Sequence, residues 1–140
     1  LTAEEVDTAL NKQSGLLGVS GVSSDSRDVE NGISEGNERC ILAQNMYVRR
    51  IINYIAMYFV EMGGADAIVF TAGVGENQTD LRENSCKGLE FLGIKINKEV
   101  NDTIHGKEAV ISTDDSKVKV VVVPTAEEIV IARDTMELVK

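Results

Sequence analysis

The segment Asp66-Ala67-Ile68-Val69-Phe70-Thr71-Ala72-Gly73-Val74-Gly75-Glu76-Asn77 decides the fold class of this chain. Residues 66–72 form an apolar run without alternation, the pattern of a short strand covered on both faces. Gly73-Val74-Gly75-Glu76-Asn77 then reads as a turn, and a helix is expected over 79–87. Strand, glycine turn and helix in that order place helix-N-terminal N–H groups where a phosphate can approach. GxGEN is shorter than the GxGxxG dinucleotide fingerprint and carries no Walker lysine. Alone it points only weakly to a phosphate or nucleoside, and its strand-to-helix setting strengthens the reading.

Upstream, the spacing predicts a long helix over 38–62. Ile41, Val48, Ile55 and Met62 recur every seven residues, with Ile52 and Phe59 between them. That stripe suits a core-facing helix, and it also suits a contact shared between two chains. Gly63-Gly64 end it. At the N-terminus, Thr2 and Glu5 form a capping box that opens a helix with Val6, Ala9 and Leu10 as its apolar face, and Gly15 is placed to end it. Between the two helices, residues 15–28 are dense in Gly and Ser but keep Leu and Val. They read as a packed loop that a ligand can approach closely.

Downstream lies a looser segment with Phe91, Ile94 and Ile96, then a polar stretch around Asn101. Strands are expected over 108–112 and 117–123, joined by Thr113-Asp114-Asp115-Ser116 as a hairpin turn. Pro124 ends the second strand. Thr125 with Glu128 reads as another capping box, opening a last helix with Ile129, Ile131, Ala132, Met136, Leu138 and Val139 as apolar material. Alternating strands and helices make the class α/β. About three strands are few for a covered sheet, which usually has around five, so partner strands are expected outside this chain.

Composition narrows the function. The 140 residues are 43% hydrophobic and 26% charged, as in globular proteins. Fourteen basic against 23 acidic residues give a net charge of −9, which disfavours nucleic acid and anionic membranes as partners. No apolar stretch reaches the roughly 20 residues of a membrane span. Glu4, Glu5 and Asp7 stand where a signal peptide would be basic and apolar. Cys40 and Cys86 form no CxxC and read as buried, idle thiols of a reducing, cytoplasmic setting. The single histidine, His105, reads as a solvated loop residue, which argues against a zinc enzyme and a histidine triad within this chain.

Three places can carry chemistry. In Ser23-Ser24-Asp25-Ser26-Arg27-Asp28, an Asp and an Arg flanking a small residue suit a polar heterocycle and its sugar. The same residues suit a solvated turn closed by a local Asp–Arg pair. The second place is Gly73, Val74, Gly75, Glu76 and Asn77. The third is Pro124-Thr125-Ala126-Glu127-Glu128: Glu128 has a capping role, whereas Glu127 is a carboxylate free to help hold a hydrated Mg²⁺. Glu127 also fits a bland reading, an acid favoured by the dipole of a first helical turn.

Taken together, Leu16 to Asp28, Phe70-Thr71-Ala72-Gly73-Val74-Gly75-Glu76-Asn77, and Val123-Pro124-Thr125-Ala126-Glu127-Glu128 with Ile131-Ala132-Arg133-Asp134 resemble the acetate kinase family, in the family's order and over the whole chain. The resemblance implies phosphoryl transfer between ATP and acetate, giving acetyl phosphate and ADP with Mg²⁺. It implies a ribonuclease-H-like domain of the actin-like ATPase, sugar kinase and Hsp70 superfamily, incomplete here. Residues 1–140 would be its C-terminal nucleotide-binding portion, without the N-terminal domain. By the family pattern, Asp25, Ser26 and Arg27 match the loop that holds adenosine. Gly73, Val74, Gly75, Glu76 and Asn77 match the loop around the ribose and phosphates, and Glu127 matches the acid near the metal. Position 26 is often a larger apolar residue in the family, and Ser26 cannot pack on an adenine in that way. The family's catalytic arginines, histidine and acid, and its acetate pocket, have no counterpart here, so the 140 residues alone are expected to be inactive. Family members are cytoplasmic homodimers joined through this domain. A propionate or butyrate kinase, and a non-catalytic oligomerisation module using the helix over 38–62, are the alternative readings.

Overall fold

The computed structural model describes residues 1–139, which divide into two compact units, one ending at Glu61 and the other starting at Met62. Among the described residues no helix is long and apolar enough to cross a membrane.

The first unit is helical. Helix α1 (Ala3–Lys12) opens on the expected capping box: Thr2 N donates to the Glu5 carboxylate at 2.7 Å, and Glu5 N to the Thr2 hydroxyl at 3.2 Å. The expected apolar face is not used, since α1 buries no residue and Val6 and Leu10 are exposed. Gly15 is left-handed, as a helix stop would be, yet it opens the next helix, α2 (Gly15–Ser20), rather than ending α1. Helix α3 (Ser26–Ser34) follows, so the stretch 15–28 is not the continuous loop that its glycines and serines suggest. The reason is burial. Leu16, Val19 and Ile33 pack with Val29 against Cys40 and Ala43 of α4 (Glu38–Glu61), and that apolar contact outweighs weak helix propensity.

Helix α4 runs 24 residues, one short of the expected end. Val48 and Ile52 of the expected stripe are buried and Ile55 and Phe59 half-buried, but Ile41 and Met62 are exposed. A strict seven-residue spacing drifts by about 20° per repeat on a straight helix, which turns Ile41 outward, and Met62 lies beyond the helix end.

The second unit starts at Met62 and turns through Gly63-Gly64, both at positive φ. It contains β1 (Ala67–Phe70), α5 (Ala72–Asn77), α6 (Thr79–Lys87), a single 3₁₀ turn (Glu90–Leu92), α7 (Lys98–Asn101), β2 (Ala109–Val110), β3 (Lys119–Val122) and α8 (Glu127–Leu138). The sheet has three strands in the order β1-β3-β2, with β1 parallel and β2 antiparallel to β3. The predicted turn at 113–116 forms, with Ser116 N donating to Thr113 O at 3.1 Å, though the hairpin strands are shorter than expected. Phe70, Val120 and Val122 of the sheet are buried, as are Leu81, Cys86, Leu89, Ile94 and Ile111.

Two expectations fail here. Strand β1 is not covered on both faces: Phe70 is buried, but Val69 is 55% exposed, because no described element of its own unit lies over that side. The capping box of Thr125 and Glu128 does not form. Helix α8 starts after Ala126 with no side-chain cap, and its apolar residues, Ile129, Ile131, Met136 and Leu138 among them, are exposed.

Candidate functional site

Strands β1 and β3 run parallel in the register Ala67↔Lys119 to Phe70↔Val122. Val123 N donates to Phe70 O at 3.0 Å and carries the pairing one step further. The two segments therefore leave the sheet together at their carboxyl ends, where open α/β sheets bind ligands. Residues 73–77 follow β1, and Pro124 to Glu127 follow β3. Glu76 joins them: its Oε1 accepts from Thr125 N at 2.9 Å and from Thr125 Oγ1 at 3.1 Å. That contact goes with the missing capping box: the Thr125 N–H that would donate to the Glu128 carboxylate donates to Glu76 instead, and Ala126 rather than Thr125 stands at the N-cap.

The expected turn at 73–77 is the six-residue helix α5. The chain enters it through Ala72 at φ +59°, the one non-glycine residue at positive φ among the described residues. Such backbone strain gathers at ligand sites. Thr71, at the start, makes no side-chain cap bond. Its two glycines differ. A Cβ on Gly75 would lie 3.2 Å from the Phe70 carbonyl carbon, so Gly75 packs closely on β1 and a side chain there would press the strand aside by a few tenths of an ångström. A Cβ on Gly73 would meet nothing within 4 Å, so packing does not require glycine there. An open glycine beside a strained residue leaves room for close approach of a ligand to the backbone.

The loop's carbonyls are occupied from the protein side. Asn77 Nδ2 donates to Gly73 O at 2.9 Å, Arg82 Nη1 to Gly75 O at 2.9 Å, and Gly106 N to Glu76 O at 3.2 Å. Asn77 O accepts from His105 Nδ1 at 3.1 Å, which sets the proton on that ring nitrogen. His105 is exposed, as expected, yet it is also tied to the loop. Arg82 carries no signal in the sequence pattern, which reads the segment only as a polar helix.

Glu127 is the first residue of α8, exposed, and its carboxylate has no partner among the described residues. No group of three His, Cys, Asp or Glu side chains is arranged for a metal among those residues. One free carboxylate suits Mg²⁺, which keeps several waters and takes its other ligands from phosphate oxygens.

Asp25 and Arg27 belong to the other unit. Asp25 is the N-cap of α3: its Oδ1 accepts from Arg27 N at 2.9 Å, and its carboxylate pairs with the Arg27 guanidinium at 2.6 Å. Those hydrogen bonds hold the Asp25 carboxyl down at about 2. Ser26 is the first helical residue. The local pair envisaged for this stretch is thus present, at a helix start rather than in a turn. Both cysteines are buried, and burial pushes the Cys86 thiol up to about 12, so it stays protonated and inert.

The sequence profile of the Acetokinase family matches residues 1–133. The acetate kinase of Bacteroides thetaiotaomicron is 54% identical over 140 residues, all of this chain and 35% of that protein. The crystal structure of Porphyromonas gingivalis acetate kinase superposes with a TM-score of 0.90 at 53% identity, covering 100% of this chain and 35% of that one. A propionate kinase structure from Francisella tularensis subsp. tularensis SCHU S4 follows with a TM-score of 0.84 at 34% identity, over 94% of this chain and 33% of its own. The chain thus spans about a third of the length of the proteins it matches.

Proposed function

The chain belongs to the acetokinase family, and we propose that it is the nucleotide-holding, C-terminal part of an enzyme that moves a phosphoryl group between ATP and acetate, giving acetyl phosphate and ADP. The observation that carries this is the pairing of residues 73–77 with Thr125 at the carboxyl ends of two parallel strands. Phosphoryl transfer needs alignment and charge neutralisation more than covalent chemistry from the protein. Gly73, Val74, Gly75, Glu76 and Asn77 then border the ribose and phosphates, Glu76 holding the loop to Thr125 from behind. Asp25, Ser26 and Arg27 contact the adenosine, as the family pattern implies. Glu127 would help hold Mg²⁺, which when bound neutralises charge on the transferring phosphoryl group. The catalytic cations and acetate pocket belong to the rest of the protein.

The higher identity to acetate kinases than to the propionate kinase favours acetate as the acid. The exposed apolar residues Leu42, Met46, Met57 and Tyr58 of α4 support a homodimer contact there, and the uncovered face of β1 and the bare surface of α8 fit a segment of a larger domain. Two idle thiols and the acidic surface fit a cytoplasmic protein. The test is trapping of acetyl phosphate with hydroxylamine. The complete protein carrying this chain forms it from ATP, Mg²⁺ and acetate, and the 140 residues alone do not. A complete protein that forms none overturns the proposal.

A further inference from the structure

We propose that Arg82 is a positioning residue for the loop at 73–77 and the source of the positive charge behind it; this rests on the proposed binding of ATP at that loop. Arg82 lies on α6 and is fully buried. Its planar fork of donors is spent on four bonds. Nη1 donates to Gly75 O at 2.9 Å, Nε to Asn101 Oδ1 at 2.8 Å, and Nη2 to Asn101 O at 3.1 Å and to Ile104 O at 2.7 Å. Asn101 is itself buried and donates through Nδ2 to Thr79 O at 3.0 Å. One guanidinium thus fixes the loop against the end of α7 and the turn after it. The next two residues of that turn close on the loop, through His105 Nδ1 to Asn77 O and Gly106 N to Glu76 O.

Every acceptor of Arg82 is neutral. No carboxylate makes an ion pair with it among the described residues; Asp102, on the same turn, is near enough to act on it electrostatically but forms its ion pair with Lys98 at 3.2 Å. A buried cation whose nearest counter-charge is shared with a lysine and makes no direct bond to it costs free energy, and a well-packed apolar side chain commonly serves stability as well or better. The arrangement makes sense beneath a loop that receives a polyanion. Arginine stays charged when buried, and its field is screened less there than that of a surface lysine. The glycine loop carries no Walker lysine, and Arg82 supplies a cation from the protein side, touching backbone carbonyls and no reacting atom.

The test compares the complete protein with Arg82→Met, Arg82→Lys and Asn101→Asp forms, reading kcat, KM for ATP, KM for acetate and thermal midpoint. Arg82→Met raises KM for ATP about tenfold or more while KM for acetate stays within about twofold, because the lost interactions face the nucleotide. Arg82→Lys keeps the charge but not the fork, and falls between. Asn101→Asp keeps an oxygen for Nε and sets a negative charge beside the guanidinium, so it also raises KM for ATP; if Arg82→Met does not fold, this variant and Arg82→Lys decide. A loss confined to thermal midpoint and kcat, or equal rises in both KM values, reduces Arg82 to a packing residue and overturns the inference. A wild-type protein that makes no acetyl phosphate overturns the nucleotide reading first, and this inference with it.

Discussion

At residues 73–77 the bonds that set the backbone come from far along the chain, whereas at residues 25–27 they come from two positions away. Glu76 reaches Thr125, and Gly75 is held by a guanidinium that also grips Asn101 and Ile104. The Asp25 carboxylate holds Arg27, by its backbone and its side chain. A loop fixed by distant partners keeps its shape only while the unit around it is folded, so binding there meets little ordering cost. A loop fixed by its own neighbours is an ordinary helix start that keeps its geometry in isolation and leaves its charged groups in solvent. The first resembles a preorganised site. The second becomes a site only if a ligand competes with the local pair.

The contrast can be broken at several points. Gly75→Ala has the largest expected effect. Its methyl meets the backbone of Phe70, and overpacking of this kind costs about 1–3 kcal/mol, read from denaturant unfolding of the complete protein. An unchanged midpoint would mean that the loop and β1 separate easily, which denies the long-range fixing. Thr125→Val removes the hydroxyl bond to Glu76 and leaves the backbone bond, for a loss of about 0.5–1.5 kcal/mol, nearer the lower figure for an exposed pair. A larger rise in KM for ATP than in KM for acetate should accompany it, and equal kinetics would unlink the two loops. The smallest effect concerns Asp25. Arg27 depresses its folded carboxyl from 3.8 to about 2, so the stability it adds is present above 3.8 and is lost as pH falls through about 2. Carbonyl-carbon NMR should show Asp25 titrating near 2, and a midpoint near 3.8 would show the pair to be absent in solution.

Much of the fold was legible because local patterns dictate it. The Thr2–Glu5 cap, the extent of α4, the order of strand and helix around residues 66–87 and the turn at 113–116 all follow from neighbours within a few positions. What was not legible depends on partners that sequence does not place. The Thr125 N–H had two carboxylates within its chemistry, Glu128 three residues on and Glu76 forty-nine back, and the parallel pairing of β1 with β3 decided for the second. Leu16 and Val19 turned a glycine-rich stretch helical only because α4 offers them a surface. Arg82 left no trace because its acceptors are backbone carbonyls and an amide, which no residue pattern announces. The three motif stretches stood out by residue type, their roles came from the resemblance, and they proved uneven: residues 73–77 and Thr125 are joined, Glu127 stands free at the helix start beyond them, and Asp25 is already occupied.

The most direct measurement is Gly73→Ala in the complete protein, assayed for KM of ATP beside its thermal midpoint. The added methyl has open space around it and sits in a helix, so the fold tolerates it. Residues 73–77 as the nucleotide loop predict a KM for ATP raised about tenfold at an unchanged or higher midpoint, since the methyl occupies the ligand's path. An unaltered KM for ATP in a stable, active Gly73→Ala protein would contradict the account.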